Sequence, residues 1–263
     1  MKIYVHGIGV LGPGLNGWQE ASDIFSHKKS YSRQELALQS SDILPPNERR
    51  RCSKMTLAAI QVAKEAMDWS NVPYDSVATV YSSSEGSVDS IDIICESIAK
   101  KDYPVSPMRF QNSVFNATPG YWAIATKTNN PSTSICCFDD SFSAGFLEAV
   151  VQVEIEKRMV LLISADQRLP DLMHSKRPIS DSFACAILLG PYGISNNPVL
   201  QIDFNTNNSL ATQMENNQLE SLRKGIPAAR SLPLFEAIAS RQVREVTLTT
   251  STVSRINLKI ENW

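Results

Sequence analysis

The sequence predicts a mixed α/β fold, and three observations indicate it. Short apolar runs of strand length alternate along the chain with amphipathic stretches of helix length, which is typical of a sheet covered by helices on both faces. The run 159–164 is apolar almost throughout, as expected for a parallel strand buried on both faces. The chain has 263 residues, 43% of them hydrophobic, which is enough for a full core.

The predicted elements alternate through most of the chain. Strands are predicted at 2–10, 77–81, 132–137, 159–164, 183–189, 246–250 and 256–260. Helices are predicted at 18–25, 54–69, 88–99, 118–126, 143–156 and 232–239, with Ser53 as the cap of the second one. The polar stretch 205–225 offers little apolar surface to offset the entropy of ordering it, so we expect it to be loop-like and mobile.

Composition excludes several classes of function. The formal net charge of −2 gives no general attraction to nucleic acid or to an anionic membrane. The five cysteines form no CxxC pair and no Cys/His cluster with metal spacing, so neither a metal nor a cofactor is predicted. An odd set of cysteines without a disulfide pattern favours a cytoplasmic protein. No apolar run approaches the roughly 18 residues that a membrane span needs.

The most informative stretch is Cys136-Cys137-Phe138-Asp139-Asp140-Ser141. A β-rich run ends there and a helix rich in small residues begins. A strand that runs through a sharp turn into a helix is where α/β enzymes often hold a nucleophile, because the turn exposes one side chain at the helix N-terminus. We expect Asp139 to lie on that turn, and a carboxylate cannot perform thiol chemistry.

Seven segments, in this order, resemble the N-terminal half of a β-ketoacyl synthase, a thiolase-like condensing enzyme. The first three are 5–10, 55–67 and 106–110. The fourth is the most distinctive and reads Ser113-Val114-Phe115-Asn116-Ala117-Thr118-Pro119-Gly120-Tyr121-Trp122. The strand–turn–helix and the segments 160–165 and 181–189 follow. The resemblance implies a thiolase-like fold in which residues 1–190 form a complete first half and residues 191–263 a strongly shortened second half.

The resemblance also places the family's nucleophile. Ungapped anchoring on Asn116 and Gly120 before the turn, and on Ala149 after it, puts the family's catalytic cysteine position at Asp139 and its serine at Ser141. Cys136 and Cys137 then lie upstream, in a strand that we expect to be buried. No catalytic residue is therefore predicted.

The family's two catalytic histidines come from its second half, where they stabilise the thioester oxyanion and drive decarboxylation. This chain has three histidines, none of them after His174, so no family histidine can be carried over. The C-terminal residues resemble the last strand pair of a synthase. The chain thus looks as if it kept the first and last pieces of the fold and lost most of what lies between them.

A catalytically empty synthase homologue implies a partner. The resemblance is to a chain length factor, which pairs with an active ketosynthase and shapes its acyl tunnel, and the short form is similar to proteins of bacterial aryl-polyene clusters. The expected partners are a full-length β-ketoacyl-ACP synthase, as a heterodimer, and transiently an acyl carrier protein. The predicted pocket or interface residues are Arg109, Phe110, Phe115, Asn116 and Tyr121.

Other interpretations stay open. An acyl hydrolase would use Cys137 or Ser141 with His174 as the base, and a malonyl-ACP decarboxylase would need the missing histidines. A homodimeric scaffold that binds a carrier protein is a third possibility. The aromatic residues could instead be ordinary core residues. Asp139 and Asp140 could cap the helix that follows them, or Asp139 could form an ion pair with an arginine that fixes the interface.

Overall fold

A computed structural model of the chain describes residues 1–39, 42–101, 104–193, 196–206, 209–250 and 254–261. The strands are β1 (Lys2–Gly12), β2 (Leu15–Asn16), β3 (Ala78–Ser82), β4 (Ser132–Ile135), β5 (Val160–Asp166), β6 (Phe183–Gly190), β7 (Val199–Thr206), β8 (Arg244–Thr249) and β9 (Ser254–Glu261). The helices are α1 (Trp18–Phe25), α2 (Pro46–Arg51), α3 (Lys54–Asp68), α4 (Val88–Ala99), α5 (Pro107–Ser113), α6 (Ala117–Thr126), α7 (Ser141–Glu156), α8 (Asp171–His174), α9 (Asn217–Gly225) and α10 (Leu232–Ala239).

One continuous sheet carries the fold, and its strand order is β4-β3-β5-β6-β1-β7-β9-β8, with β2 paired to β1. Strands β4, β3 and β5 are parallel, while every other neighbouring pair is antiparallel. The two predicted parts of the chain meet where β1 pairs with β7, with Ile3 opposite Leu200. They therefore share one sheet.

The two parts of the sheet repeat one pattern. In the first part, the first strand β1 pairs with the last strand β6, which pairs with β5. In the second part, β7 pairs with β9, which pairs with β8. Helix α7 precedes β5 and packs on it, as α10 does with β8. The second part has no described counterpart of β3 and β4, which agrees with a shortened second half.

Burial differs between the two parts. All of β5 is buried, and alternate residues such as Leu161 and Leu162 belong to core clusters on opposite faces of the sheet. In β9, Ile256, Leu258 and Ile260 enter one cluster, and the residues between them are polar. The second part is thus covered by the core on one face only.

Glycines bring helix α3 directly onto the sheet. A Cβ added at Gly7 would lie 1.8 Å from the carbonyl oxygen of Ala66, and one at Gly9 would lie 2.0 Å from that of Val62. Only glycine permits this approach of helix to strand. The helix starts where predicted, because Ser53 accepts a hydrogen bond from the N–H of Thr56.

Most predicted elements are confirmed to within a few residues, and two predictions are wrong. The strand at 132 ends at Ile135, so Cys136 and Cys137 are exposed instead of buried. The stretch 205–225 is not all loop, because β7 extends into it and α9 fills its end. Helix α9 forms because Asn216 caps it and it buries two leucines.

None of the helices in the described part of the chain is both long and apolar enough to cross a membrane.

Candidate functional site

The candidate site is the turn between β4 and α7, at residues Phe138–Asp140. Ser141 holds this turn closed: its buried hydroxyl accepts a hydrogen bond from the N–H of Cys137 at 3.0 Å and donates one to the carbonyl oxygen of Phe138 at 2.7 Å. The carboxyl ends of β3, β4 and β5 all face this region, where open α/β sheets usually carry their sites.

Phe138 is the strained residue of the turn. Its φ is 52°, in the left-handed region that bulky side chains rarely adopt. Such a conformation costs about 1–3 kcal/mol and persists only where neighbouring contacts enforce it. A strained strand-to-helix turn is how enzymes of this architecture present a nucleophile, but the side chains presented here are phenylalanine and aspartate.

Arg230 bridges the two aspartates of the turn. Its Nη1 lies 2.8 Å from Oδ1 of Asp140, and its Nη2 lies 3.0 Å from Oδ2 of Asp139. Thr249 donates a further hydrogen bond to Asp140 at 3.1 Å. Arg230 lies on the Ala228–Ser231 turn before α10, and Thr249 ends β8, so the second part of the chain is ionically fastened to the first.

Arg177 approaches the turn from the loop between β5 and β6. Its Nη1 lies 3.1 Å from Oδ1 of Asp139, and its Nε forms an ion pair with Glu85. Its guanidinium carbon stands 3.6 Å from the centre of the Phe138 ring, a cation–π contact. The space above the turn is therefore occupied by a network of two arginines and three carboxylates.

Asp166 is a second link between the two parts of the chain. Its fully buried carboxylate accepts hydrogen bonds from both hydroxyls of Ser83 and Ser84, and from the N–H groups of Ser84 and Ala228. Burial raises the pKa of Asp166 in spite of these bonds. Because these hydrogen bonds come from two separate loops, the carboxylate of Asp166 holds both loops in place beside the turn.

The structure decides between the two alternatives for the aspartates. Asp140 occupies the cap position of α7, but its side chain makes no capping hydrogen bond. Asp139 instead pairs with two arginines of the chain itself, and the predicted role of such a pair in fixing an interface stays a prediction. The structure shows no Ser–His pair for the hydrolase interpretation among the described residues. The hydroxyl of Ser141 donates to a backbone carbonyl, and the buried Nδ1 of His174 has no hydrogen-bond partner in that part of the chain.

A second feature lies beside the turn. Strand β4 is an edge of the sheet, so one side of its backbone has no neighbouring strand in the described residues. Helix α7 lies over it, since Gln152 donates to Thr133 Oγ1 at 3.1 Å. Helix α7 exposes Val151 and Ile155, the latter to 75%, and α6 exposes Ile124. We call β4 with these three side chains the β4 surface.

Gly120 adds to the exposed side of α6. A Cβ built on it would meet no atom within 4 Å, so it faces open space one helical turn before Ile124. A glycine in a helix interior costs about 0.5–1 kcal/mol relative to alanine, and no described residue lies close enough to require one here.

The structure places the five predicted pocket residues in different environments. Phe110 is 66% exposed on α5, and Arg109 beside it is half-buried. Phe115 is half-buried with its ring 5.9 Å from that of Tyr81, and Asn116 is exposed at the start of α6.

Tyr121 requires a correction. It is only 2% exposed and belongs to the core cluster of α3, so it is a core residue of this chain and not a surface residue. Its position follows from helical spacing, because Thr118 and Trp122 share the buried side of α6.

Arg177 and Arg230 were not predicted. Both lie in irregular polar segments far from the turn in sequence, and a single arginine in such a segment carries no signal of its own. The acidic pair Asp139-Asp140 is the one sequence signal that could have indicated nearby cations. Among the described residues, no three His, Cys, Asp or Glu side chains form a cluster that could hold a metal ion.

Comparisons with known proteins identify relatives of this fold. The family described as "Beta-ketoacyl synthase, N-terminal domain" matches residues 18–253. No curated protein matches the sequence.

Solved structures match over the whole chain. One is a ketosynthase (ApeO) in complex with its chain length factor (ApeC) from Xenorhabdus doucetiae, with 20% identity and a TM-score of 0.74 over 98% of this chain and 99% of the matched one. Another is a type II polyketide acyl carrier protein in complex with its ketosynthase (AntDE:AntF), with 10% identity and a TM-score of 0.76 over 100% and 99%. A ketosynthase from the bacillaene synthase of Bacillus subtilis 168 matches with 10% identity and a TM-score of 0.68, over 100% of this chain but 70% of that one.

Proposed function

Because the chain belongs to the β-ketoacyl synthase family and has its thiolase-like fold, we propose that it is a non-catalytic, chain-length-factor-like subunit. In this role it pairs with a full-length β-ketoacyl-ACP synthase and shapes that enzyme's acyl tunnel during polyene, type II polyketide or fatty-acid-like synthesis. Condensation takes place in the partner, and an acyl carrier protein visits the complex transiently.

The β4 surface is the observation that carries the proposal. An edge strand with a free backbone and exposed apolar neighbours is a site where proteins pair or aggregate unless it is covered. Gly120 fits the same interpretation, since a helix without a side chain at that point lets another backbone approach closely.

The turn supports the non-catalytic part of the proposal. Phe138 and Asp139 stand where a nucleophile would be presented, and neither can form an acyl thioester. The arginines around them form ion pairs with fixed carboxylates. They are therefore not arranged as free donors for a developing oxyanion.

The comparisons support the pairing with a ketosynthase. This chain spans 99% of the matched chains in complexes whose descriptions name a ketosynthase with a chain length factor or a carrier protein, but 70% of the bacillaene ketosynthase.

The test is native mass spectrometry of the tagged chain isolated from its own host. A 1:1 complex with a full-length ketosynthase is the expected result. A lone homodimer would contradict the proposal and favour the carrier-protein scaffold.

Gly120 offers a matched series for that measurement. Gly120→Ala adds one methyl group and should leave the complex intact, whereas Gly120→Trp should abolish it by steric exclusion. Neither variant should lower the melting temperature of the chain alone, because the added atoms enter open space. A complex that tolerates tryptophan would remove α6 from the interface.

A further inference from the structure

A cavity of about 300 Å³ lies between the extended segment 33–38, the starts of α3 and α4, and the segment that joins β5 to β6. Its volume is at the lower end of the range for small-molecule sites. Leu36, Leu38 and Met55 give it an apolar part, and polar side chains complete the lining. None of its residues belongs to the β4–α7 turn or to the β4 surface, so it is a separate feature of the chain.

Gln167 is the buried polar side chain of this cavity. It follows the last residue of β5 and is only 8% exposed. No hydrogen bond joins its side-chain amide to any other group in the described part of the chain. An unpaired buried amide costs free energy, and an apolar side chain of the same size would avoid that cost. Its presence therefore fits a ligand that supplies the missing hydrogen bond.

Two of the four charged side chains that line the cavity are already neutralised. Arg168 forms an ion pair with Asp171 at 2.9 Å, and Asp181 forms one with Arg33 at 2.6 Å. These two groups therefore have no charge left for a ligand to balance.

Lys54 and Asp89 are the other two charged residues of the lining. Neither has an ion-pair partner among the residues that the structure describes. Lys54 lies in the first turn of α3, where the helix dipole disfavours a cation, so its own helix does not account for it. Asp89 lies in the first turn of α4. One unpaired cation and one unpaired anion thus share a cavity with an apolar part and an unpaired amide.

We propose that this cavity binds a small zwitterion with an apolar substituent, of the class of a free α-amino acid with an aliphatic side chain. Lys54 pairs with the carboxylate of the ligand, and Asp89 pairs with its ammonium group. The amide of Gln167 donates to the carboxylate. The aliphatic side chain of the ligand packs against Leu36 and Met55, which removes apolar surface from water.

Isothermal titration calorimetry of the full chain with L-leucine tests the proposal. Two analogues of similar size each lack one charged group: 4-methylpentanoate has no ammonium group, and 3-methylbutylamine has no carboxylate. L-leucine should bind, and each analogue should bind roughly tenfold more weakly, as the loss of one charge-assisted contact predicts. No binding of L-leucine at millimolar concentration would overturn the proposal. An analogue that binds as tightly as L-leucine would overturn the zwitterion as its ligand.

Variants assign the two charges separately. Lys54→Gln should weaken the binding of L-leucine and 4-methylpentanoate but not that of 3-methylbutylamine. Asp89→Asn should weaken the binding of L-leucine and 3-methylbutylamine but not that of 4-methylpentanoate. Lys176→Gln removes an exposed lysine outside the cavity and is the matched control, which should bind all three ligands like the wild type. An equal loss for all three ligands in either cavity variant would contradict the assigned contacts.

Gln167→Leu keeps the volume of the side chain and removes its amide. It should weaken the binding of L-leucine and raise the melting temperature of the free chain, because an unpaired buried amide is lost. A lower melting temperature with unchanged binding would show a structural role for Gln167 and overturn its assignment to the site. All these measurements use the chain without a partner, so they can fail while the proposed function holds.

Discussion

The two edges of the sheet differ in whether residues of the same chain cover them. At the β8 edge, the chain covers itself with residues 209–216, which we call the strap. The N–H of Thr212 donates to the carbonyl oxygen of Thr247 at 3.0 Å, and its hydroxyl accepts from the N–H of Thr247 at 2.9 Å. At the β4 edge, the described residues supply no such cover, and apolar side chains stand exposed on the flanking helices.

The difference between the covered β8 edge and the uncovered β4 edge indicates where a partner could bind. A sheet shortened in its second half acquires a new edge, and an uncovered edge promotes aggregation. The strap removes that risk at β8. The polar outer residues of β7, β9 and β8 then let that end of the sheet face water. The difference in cover between the two edges therefore supports the proposal that a partner binds at the β4 edge.

The largest effect should come from blocking the β4 edge. The carbonyls of Pro131 and Ile135 accept bonds from β3, so alternation directs the N–H of Ser134 away from it. Ser134→Pro removes that outward donor and should abolish ketosynthase binding, while Ser134→Ala keeps the N–H and should bind normally. Pull-down with the ketosynthase measures this, and thermal melting checks the fold. Normal binding by the proline variant would exclude strand pairing at β4.

A smaller effect is expected at the strap. Thr212→Val deprives the N–H of Thr247 of its acceptor and should lower the free energy of unfolding by about 1 kcal/mol. Thr212→Ser retains the hydroxyl and serves as the control. Urea denaturation gives the difference, and light scattering should show self-association of the valine variant alone. Equal stability of the two variants would mean that the strap does not hold the β8 edge.

The strap should also loosen in acid. Glu220 accepts from the N–H of Met214 in the strap, and hydrogen bonds from Arg223 lower the pKa of Glu220 to about 2. Because the pKa of Glu220 is lower in the folded state than the unfolded value near 4.5, the ionised carboxylate stabilises the fold above pH 4.5. This stabilisation is lost as pH falls toward 2. The free energy of unfolding should therefore fall more steeply between pH 4.5 and 2 in wild type than in Glu220→Gln. Parallel pH profiles would contradict this assignment.

The smallest effect is an expected zero. Asp139→Cys places a thiol on the turn but supplies no histidine, since the sequence has none after His174. The isolated variant should show no condensation of malonyl-ACP with an acyl primer, with the active ketosynthase as positive control. Measurable turnover by the variant alone would contradict the non-catalytic account.

The sequence predicted the strongly apolar elements best, in both parts of the fold. Strands buried on both faces, such as β5, carry a dense apolar signal, and α1 and α4 begin and end where predicted. Strand β7 escaped prediction because its exposed face gives it a mixed pattern. The ion-pair network escaped because Arg230 lies 91 residues from Asp139, and only the folded repeat brings the two turns together.

The candidate site was predicted in part. The register that the resemblance implies placed Asp139 on the turn, as observed. Phe110 is exposed, and its role at a partner surface stays a prediction. Spacing could not tell Tyr121 from a surface aromatic, since one step around a helix decides which side is buried. Nor could it show that Phe138 adopts a positive φ, because that depends on contacts made by Arg177 and Ser141.

Hydrogen exchange of backbone amides, with and without the full-length ketosynthase, shows which edge of the sheet the partner covers. We expect the outward amides of β4, at Ser132 and Ser134, to become protected in the complex, while those of β8 exchange at unchanged rates. Protection at β8 with none at β4 would contradict this expectation, because the chain would then pair through the edge that it covers itself.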